Sequence, residues 1–261
     1  MSDTTVHTPA DTPCLILESV SRNFGGLQAL NNLSLQAPPG QVTGLIGPNG
    51  AGKSTVVNLI SGLAALSKGS IRYGRDIGSL PPHHMAALRI ARTFQNIRLL
   101  KEETVLDNVI AGGHMHDRSG ALDCFLGLPK VGRERRALAT RAEALIEKYG
   151  LSTMKNELCG NLPYGYQRIV EIVRALMLGP TLLLLDEPVA GMNDVEADNL
   201  TVHIRNLADE GMAVLLIEHN MRFVMGICNH IYVISSGKLI TSGSPQEVRT
   251  HPEVIQAYLG A

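Results

Sequence analysis

With 261 residues, 18% of them charged, and a formal net charge of −1, the chain has length for one large α/β domain or a core with a subdomain inserted in it, rather than two independent domains. The near-neutral balance gives no electrostatic case for nucleic acid, and the short Arg133–Arg136 cluster reads as a solvated helix face. Cys14, Cys124, Cys159 and Cys228 are far apart, with no C-x-x-C pair and no histidine at zinc-ligand spacing, so they read as buried or incidental thiols in a reducing compartment. Residues 1–13, rich in Thr, Asp and Pro and without the apolar core of a signal peptide, read as a flexible tail. Cys14–Val20 then alternates apolar and polar residues, as does the stretch around Leu33 and Leu35, which predicts antiparallel strands in a small sheet. Val42, Leu45 and Ile46 mark a buried strand, and Val56, Val57, Leu59 and Ile60 recur at helical spacing just after it. Gly69–Tyr73 reads as another strand, and the Pro81-Pro82 break precedes a short helical stretch reaching about Ala91. From about Val105 to Leu178 the pattern is mostly helical, broken by Gly120–Gly132, which makes this a candidate helical subdomain. Thr181–Asp186, Ala213–Ile217 and Ile231–Ile234 return as short apolar runs between helical segments, the rhythm of a parallel sheet with crossover helices. Leu182–Leu185 and Ala213–Ile217 are far too short to span a bilayer, which takes about 20 apolar residues. A cytoplasmic chain is expected, reaching a membrane only through partners.

Between the strand at Val42–Ile46 and the helix after it lies Gly47-Pro48-Asn49-Gly50-Ala51-Gly52-Lys53-Ser54-Thr55, a full G-x-x-x-x-G-K-[ST] loop in the context that loop requires. The glycines let backbone N–H groups turn inward to phosphate oxygens, and the helix beginning near Lys53 adds the positive end of its dipole. ATP with Mg²⁺ is the expected ligand, Lys53 reaching the β- and γ-phosphates and Ser54 ligating the metal. Leu182–Leu185 ends in Asp186 and Glu187, so one strand delivers both acids to the sheet edge where phosphates lie. Asp186 is a candidate Mg²⁺ ligand through its water shell, and Glu187 a candidate general base for the attacking water. His219 follows the next strand and offers a hydrogen bond to the γ-phosphate. Gln95 follows Thr93-Phe94 and offers an amide that can ligate Mg²⁺ or hold water.

Together these residues resemble the ATP-binding cassette (ABC) ATPase family over nearly the whole chain from about Cys14. The resemblance implies an α/β P-loop NTPase over residues 14–261: a mixed, largely parallel core sheet, a small antiparallel β-subdomain, and a helical subdomain inserted at about 97–178. It makes Phe24 the aromatic that stacks on adenine, Gln95 the Q-loop residue, Asp186-Glu187 the Walker B acids and His219 the switch histidine. Leu162-Pro163-Tyr164-Gly165-Tyr166-Gln167-Arg168 stands where the family carries its Leu-Ser-Gly-Gly-Gln signature, agreeing at Leu162 and Gly165 and departing at Pro163, Tyr164 and Tyr166. In the family this motif serves the opposite subunit's ATP. Pro163 lacks the serine hydroxyl but suits a first helical turn, so the helix dipole and the Gly165 N–H are expected to survive.

A narrower resemblance, to the LivG-type subunits of branched-chain amino-acid uptake transporters, rests on further blocks. These are Ala91–Leu99, Asp186–Asn193, Ile217–Met221, the ending Pro252–Gly260, and an insertion between Gly112 and Arg133. It implies an ATP-hydrolysing subunit that powers uptake of branched-chain or other small amino acids, or related amides. Its partners would be transmembrane permease subunits, a second ABC ATPase subunit and, indirectly, a periplasmic or extracellular substrate-binding protein, with no nucleic acid. The chain would sit on the inner face of the cell membrane. Other readings are a lipid or lipopolysaccharide export ATPase, a non-transport ABC ATPase, which usually carries two cassettes or a long coiled coil, and a P-loop kinase, which would leave the signature block unexplained. For the closing helix, packing of Val254, Ile255 and Tyr258 on its own domain competes with a partner contact.

Overall fold

Alternation at the start of the chain builds a long hairpin. In the computed structural model, which describes residues 12–113 and 129–259, β1 (Leu15–Phe24) pairs antiparallel with β2 (Leu27–Ala37), and the buried Leu15, Leu17, Val20, Leu33 and Leu35 belong to one apolar cluster. The next strand, β3 (Val42–Ile46), belongs to a second sheet, whereas β4 (Lys68–Tyr73) pairs with the other side of β1 and β5 (Arg75–Asp76) completes the antiparallel sheet in the order β2-β1-β4-β5. Between them, α1 (Lys53–Ile60) follows the glycine-rich loop.

The second sheet also contains β6 (Ile90–Arg92), β7 (Leu182–Asp186), β8 (Ala213–Ile217), β9 (His230–Ser235) and β10 (Lys238–Gly243), in the order β10-β9-β3-β8-β7-β6. All its pairings are parallel except that of β9 with β10. The mixed sheet and the separate antiparallel sheet are as expected, but two strands correct the sequence reading. Helix α2 (Pro82–Ala87) stops short of Ala91 because Arg89 takes a left-handed φ of 60°, and Ile90–Arg92 then pairs with Leu182–Leu184 as β6. The Arg89 Nε–H donates to the Gly179 carbonyl at 2.6 Å and holds that turn against the sheet. Half-exposed β10 is the second omission, folded back on β9 through the left-handed Ser236 and Gly237.

Among the described residues between β6 and β7, the regular structure is helical: α3 (Val105–Ala111), capped by the Thr104 hydroxyl accepting the Asp107 N–H, α4 (Pro129–Lys148) and α5 (Tyr164–Leu176), with two short 3₁₀ turns. Arg133, Arg135 and Arg136 on α4 are exposed, as a solvated face requires. Residues 1–11 of the expected tail, most of the Gly120–Gly132 break, Cys124 and Gly260 lie outside the described residues. After β7 come α6 (Asp194–Asp209), opened by an Asn193–Glu196 capping box, and α7 (Met221–Ile227), capped by Asn220; α8 (Pro245–Thr250) and α9 (Pro252–Leu259) follow β10. On α9, Val254 is buried and Tyr258 packs on the core, while Ile255 remains 45% exposed, so the closing helix is anchored on its own domain with one apolar residue outward.

The second sheet separates two apolar layers. Leu182, Leu184, Leu215 and Ile217 pack with β1, β2 and α1; Leu183, Leu185, Val214 and Leu216 pack with α5, α6 and α7. Each fully buried aliphatic side chain contributes about 1.5–3 kcal/mol, which is why these short strands are apolar on both faces. Cys159 and Cys228 are buried in the helix-side layer, where burial pushes their thiols up to about 11 and about 12, so both are inert packing groups.

Candidate nucleotide site

The loop from β3 to α1 turns on glycines that nothing larger can replace. A Cβ on Gly47 would lie 2.0 Å from the Ile234 carbonyl oxygen, and one on Gly52, at φ 105°, would lie 2.8 Å from the Ala29 carbonyl oxygen. Gly52 is the N-cap of α1, so the helix begins at Lys53, with its first-turn N–H groups at the loop. The buried Lys53 ammonium donates to the carbonyls of Gly47 at 2.7 Å and Pro48 at 3.0 Å. Burial pulls its pKa below the ordinary lysine value, and the carboxylates of Glu187, Asp186 and Glu218 oppose that fall. A cavity of about 640 Å³ opens over the loop, lined by Asn49 through Thr55 together with Phe24, Gln95 and Glu187. Phe24 is 47% exposed on its rim, with the Arg22 guanidinium 4.4 Å from the ring centroid; it is a surface aromatic beside the loop rather than a core residue.

Strand β7 carries the two acids to the same edge. Asp186 is ion-paired with Arg92 of β6 at 3.1 Å, and Arg92 also donates to Asn58 Oδ1 at 2.8 Å and Ser61 Oγ at 3.1 Å. Burial raises the Asp186 pKa and Arg92 opposes the rise. Glu187 follows in a left-handed conformation at φ 49°, its N–H donating to the Ile217 carbonyl at 2.9 Å. A non-glycine residue held there carries backbone strain of about 1–3 kcal/mol, a cost that gathers at functional sites. Gln95 donates its amide to Glu187 Oε2 at 2.8 Å, and His219 Nδ1 lies 3.5 Å from Glu187 Oε1. Three candidates from three separate loops thus meet on one carboxylate.

Two residues in this neighbourhood carry no role in the sequence reading. Arg92 is one. The other is Glu218, fully buried, whose carboxylate accepts the N–H groups of Val189 at 3.1 Å, His219 at 2.9 Å and Asn220 at 3.1 Å. It ties the segment after Glu187 to the one bearing His219. A charged residue closing an all-apolar strand was the available signal.

The cavity over the phosphate loop has none of Leu162, Pro163, Tyr164 or Gly165 among its described lining residues. Leu162 is buried and its carbonyl accepts from Gln167 Nε2 at 2.8 Å. Pro163 is the N-cap of α5, extended at ψ 149°, rather than part of its first turn as expected. The helix start therefore survives, without a side-chain acceptor at the cap. Gly165 is buried against the Glu196 carboxylate, where a Cβ would come within 2.8 Å of Oε1.

Ser54, Gln95 and Asp186 offer oxygen donors only, a set that suits Mg²⁺, which takes one or two carboxylates and completes its shell with phosphates and water.

A sequence model of the ABC transporter family matches residues 30–190, and one described as branched-chain amino acid ATP-binding cassette transporter matches residues 238–261. The chain is 41% identical over 250 residues to the high-affinity branched-chain amino acid transport ATP-binding protein BraF of Pseudomonas aeruginosa, covering 95% of this chain and 98% of that one. It is 38% identical over 252 residues to the corresponding protein LivG of Escherichia coli, with the same shares. Among solved structures, a nucleotide-free ATP-binding cassette from an ABC transporter superposes with a TM-score of 0.83 at 31% identity, covering 96% of this chain and 100% of that one. The ADP conformation of an ATP-binding cassette of an ABC transporter gives 0.84 at 32% identity, covering 96% and 99%.

Proposed function

We propose that this chain, which belongs to the ABC transporter family of ATP hydrolases, is the subunit that powers import of branched-chain or other small amino acids through separate membrane permeases. The observation that carries the chemistry is the convergence of Gln95 and His219 on the carboxylate of Glu187, which with Gln95 lines the cavity over the phosphate loop. The substrate class is supported by relatives named for branched-chain amino acid transport that align over 95% of the chain.

Each residue then has a task. Loop N–H groups and Lys53 hold the phosphates, Lys53 exchanging its bonds to Gly47 and Pro48 for phosphate oxygens. Phe24 offers its exposed face to adenine. Ser54, Asp186 and Gln95 hold Mg²⁺, which when bound neutralises charge on the phosphates. Glu187 takes the proton of the water that attacks the γ-phosphorus, the bond to the β-phosphate oxygen breaks, and ADP leaves. His219 donates to the γ-phosphate, while Glu218 fixes the backbone that presents it. Leu162 through Gly165 serve a nucleotide held by a second cassette facing this one head to tail. No described helix is long and apolar enough to cross a membrane. A groove of about 430 Å³ lined by Ala91, Phe94, Ala111 and Leu178 together with Glu171 and Arg174 suits a permease segment, Phe94 standing next to Gln95 in the chain.

The test is reconstitution of this chain in proteoliposomes with candidate permeases, partner cassette and binding protein. ATP-driven accumulation of labelled leucine is expected. ATP hydrolysis without accumulation of any amino acid or related amide would refute the substrate class, and absence of hydrolysis would refute the site.

A further inference from the structure

The stretch between β6 and α3 has no helix or strand of its own, yet two buried side chains of α5 hold it. Arg168 is fully buried; its Nη1 donates to the Phe94 carbonyl at 2.7 Å and its Nη2 to the Gln95 carbonyl at 2.9 Å. Nη1 also meets Glu171 Oε2 at 2.6 Å, and Glu171 Oε1 accepts the Arg98 N–H at 3.2 Å. The ion pair therefore grips both ends of one short loop, the cation at its carbonyls and the anion at its N–H. The Arg98 guanidinium lies 4.0 Å over the Phe94 ring and closes the turn from outside.

Stability does not account for this arrangement. A buried ion pair loses much of its attraction to desolvation, so the charges themselves add little net stability. The pair instead offers geometry. The planar Arg fork serves two carbonyls and a carboxylate at once, which the single ammonium of a lysine does not reproduce. From the loop so fixed, Gln95 sends its amide to Glu187 at 2.8 Å.

We propose that Arg168 and Glu171 are positioning residues that set where Gln95 meets Glu187, a proposal that rests on the placement of Gln95 in the proposed site.

The experiment measures kcat and KM for ATP with Mg²⁺ in the full-length chain carrying Gln95→Ala, or Arg168→Met with Glu171→Leu, or all three. Misplacing a catalytic contact costs roughly ten- to a hundredfold. The paired substitution is expected to lower kcat by about as much as Gln95→Ala, with KM held within about threefold, and the triple variant to fall no further, because groups acting through one contact are not additive. Wild-type kcat in the paired variant, or a multiplied loss in the triple variant, would overturn the proposal. An undiminished kcat in Gln95→Ala alone would overturn both the proposal and the placement of Gln95, which tells the two failures apart. Should the paired variant melt more than about 5 °C lower, Arg168→Lys decides. In that variant the amides of residues 94–98 should exchange with solvent at least about tenfold faster while those of α5 stay protected; unchanged exchange across 94–98 would overturn the proposal.

Discussion

Replacing Arg92 by methionine tests how the site keeps Asp186 when no nucleotide is bound. The ion pair is 3.1 Å long, with 14% and 8% of the two side chains exposed, and the same guanidinium serves Asn58 and Ser61. Methionine retains much of the apolar stem and leaves the carboxylate without its cation. Breaking a buried pair costs about 3–5 kcal/mol, and the residual exposure of Arg92 places the expected loss at the lower end, ~3 kcal/mol at neutral pH. The sign of its pH dependence follows from linkage. Burial already raises the Asp186 pKa and Arg92 opposes the rise, so the variant's folded-state value stands further above the unfolded one. A carboxylate raised in this way penalises folding fully above its folded pKa and not at all below its unfolded pKa. Urea midpoints of the variant and the parent should therefore differ most at pH 7.5, the gap narrowing as the pH falls toward 4 to the loss of the bonds to Asn58 and Ser61. In an Asp186→Asn background the Arg92→Met loss should shrink to that of the guanidinium's remaining hydrogen bonds, with no pH dependence. An equal loss at pH 5 and 7.5, or an equal loss with and without the Asp186 carboxylate, would refute the reasoning.

Glu187→Gln keeps the side chain's size and removes the base, so ATP should still bind while phosphate release falls by roughly a hundredfold; near-normal turnover would exclude Glu187 as the base. The same variant should dimerise with ATP and Mg²⁺ in light scattering, because bound nucleotide adds contacts to an otherwise weak pairing, and a monomer throughout, even with a partner cassette, would sink the two-cassette site. Phe24→Ala should weaken ATP binding by about 1 kcal/mol and Phe24→Tyr by much less; equal losses by calorimetry would deny the ring a stacking role. Burial holds the Lys53 pKa below the usual 10.5, and phosphates would raise it, so ATP binding takes up a proton at pH values between the two. ATP affinity should fall as pH rises through the window that opens at the depressed free-chain value, and an affinity flat up to pH 10.5 would contradict this.

What the sequence made legible was whatever a local pattern encodes. Val42–Ile46, Leu182–Asp186 and Ala213–Ile217 are buried at every position, and their apolar runs mark them as strands without further help. The phosphate loop is legible because its pattern is contiguous in sequence, with Gly47, Gly50 and Gly52 all at positive φ. Ile90–Arg92 is illegible for the opposite reason: three residues show no period, and only pairing with β7 makes them a strand. Arg92 draws its meaning from Asp186, 94 residues away, and Glu218 from N–H groups on two loops. Pro163 is an intermediate case. A proline near a helix start is readable, but whether it caps the helix or enters its first turn is decided by ψ.

The sheet at the centre is also a partition wall. Val56, Val57, Leu59 and Ile60, which seat the helix behind the phosphate loop, lie in one apolar layer; Ile169, Val170, Ile172 and Val173, which seat the helix behind Leu162–Gly165, lie in the other. The surface proposed to grip this chain's nucleotide and the one proposed to serve a second cassette's thus stand on separate foundations. A void opened at Ile71 would loosen the first and one at Val173 the second, each felt across the wall only through strand backbones and the polar residues along their rim. On the proposed roles, such a chain could refine its fit to a permease or a second cassette while the layer beneath its phosphate loop stays undisturbed.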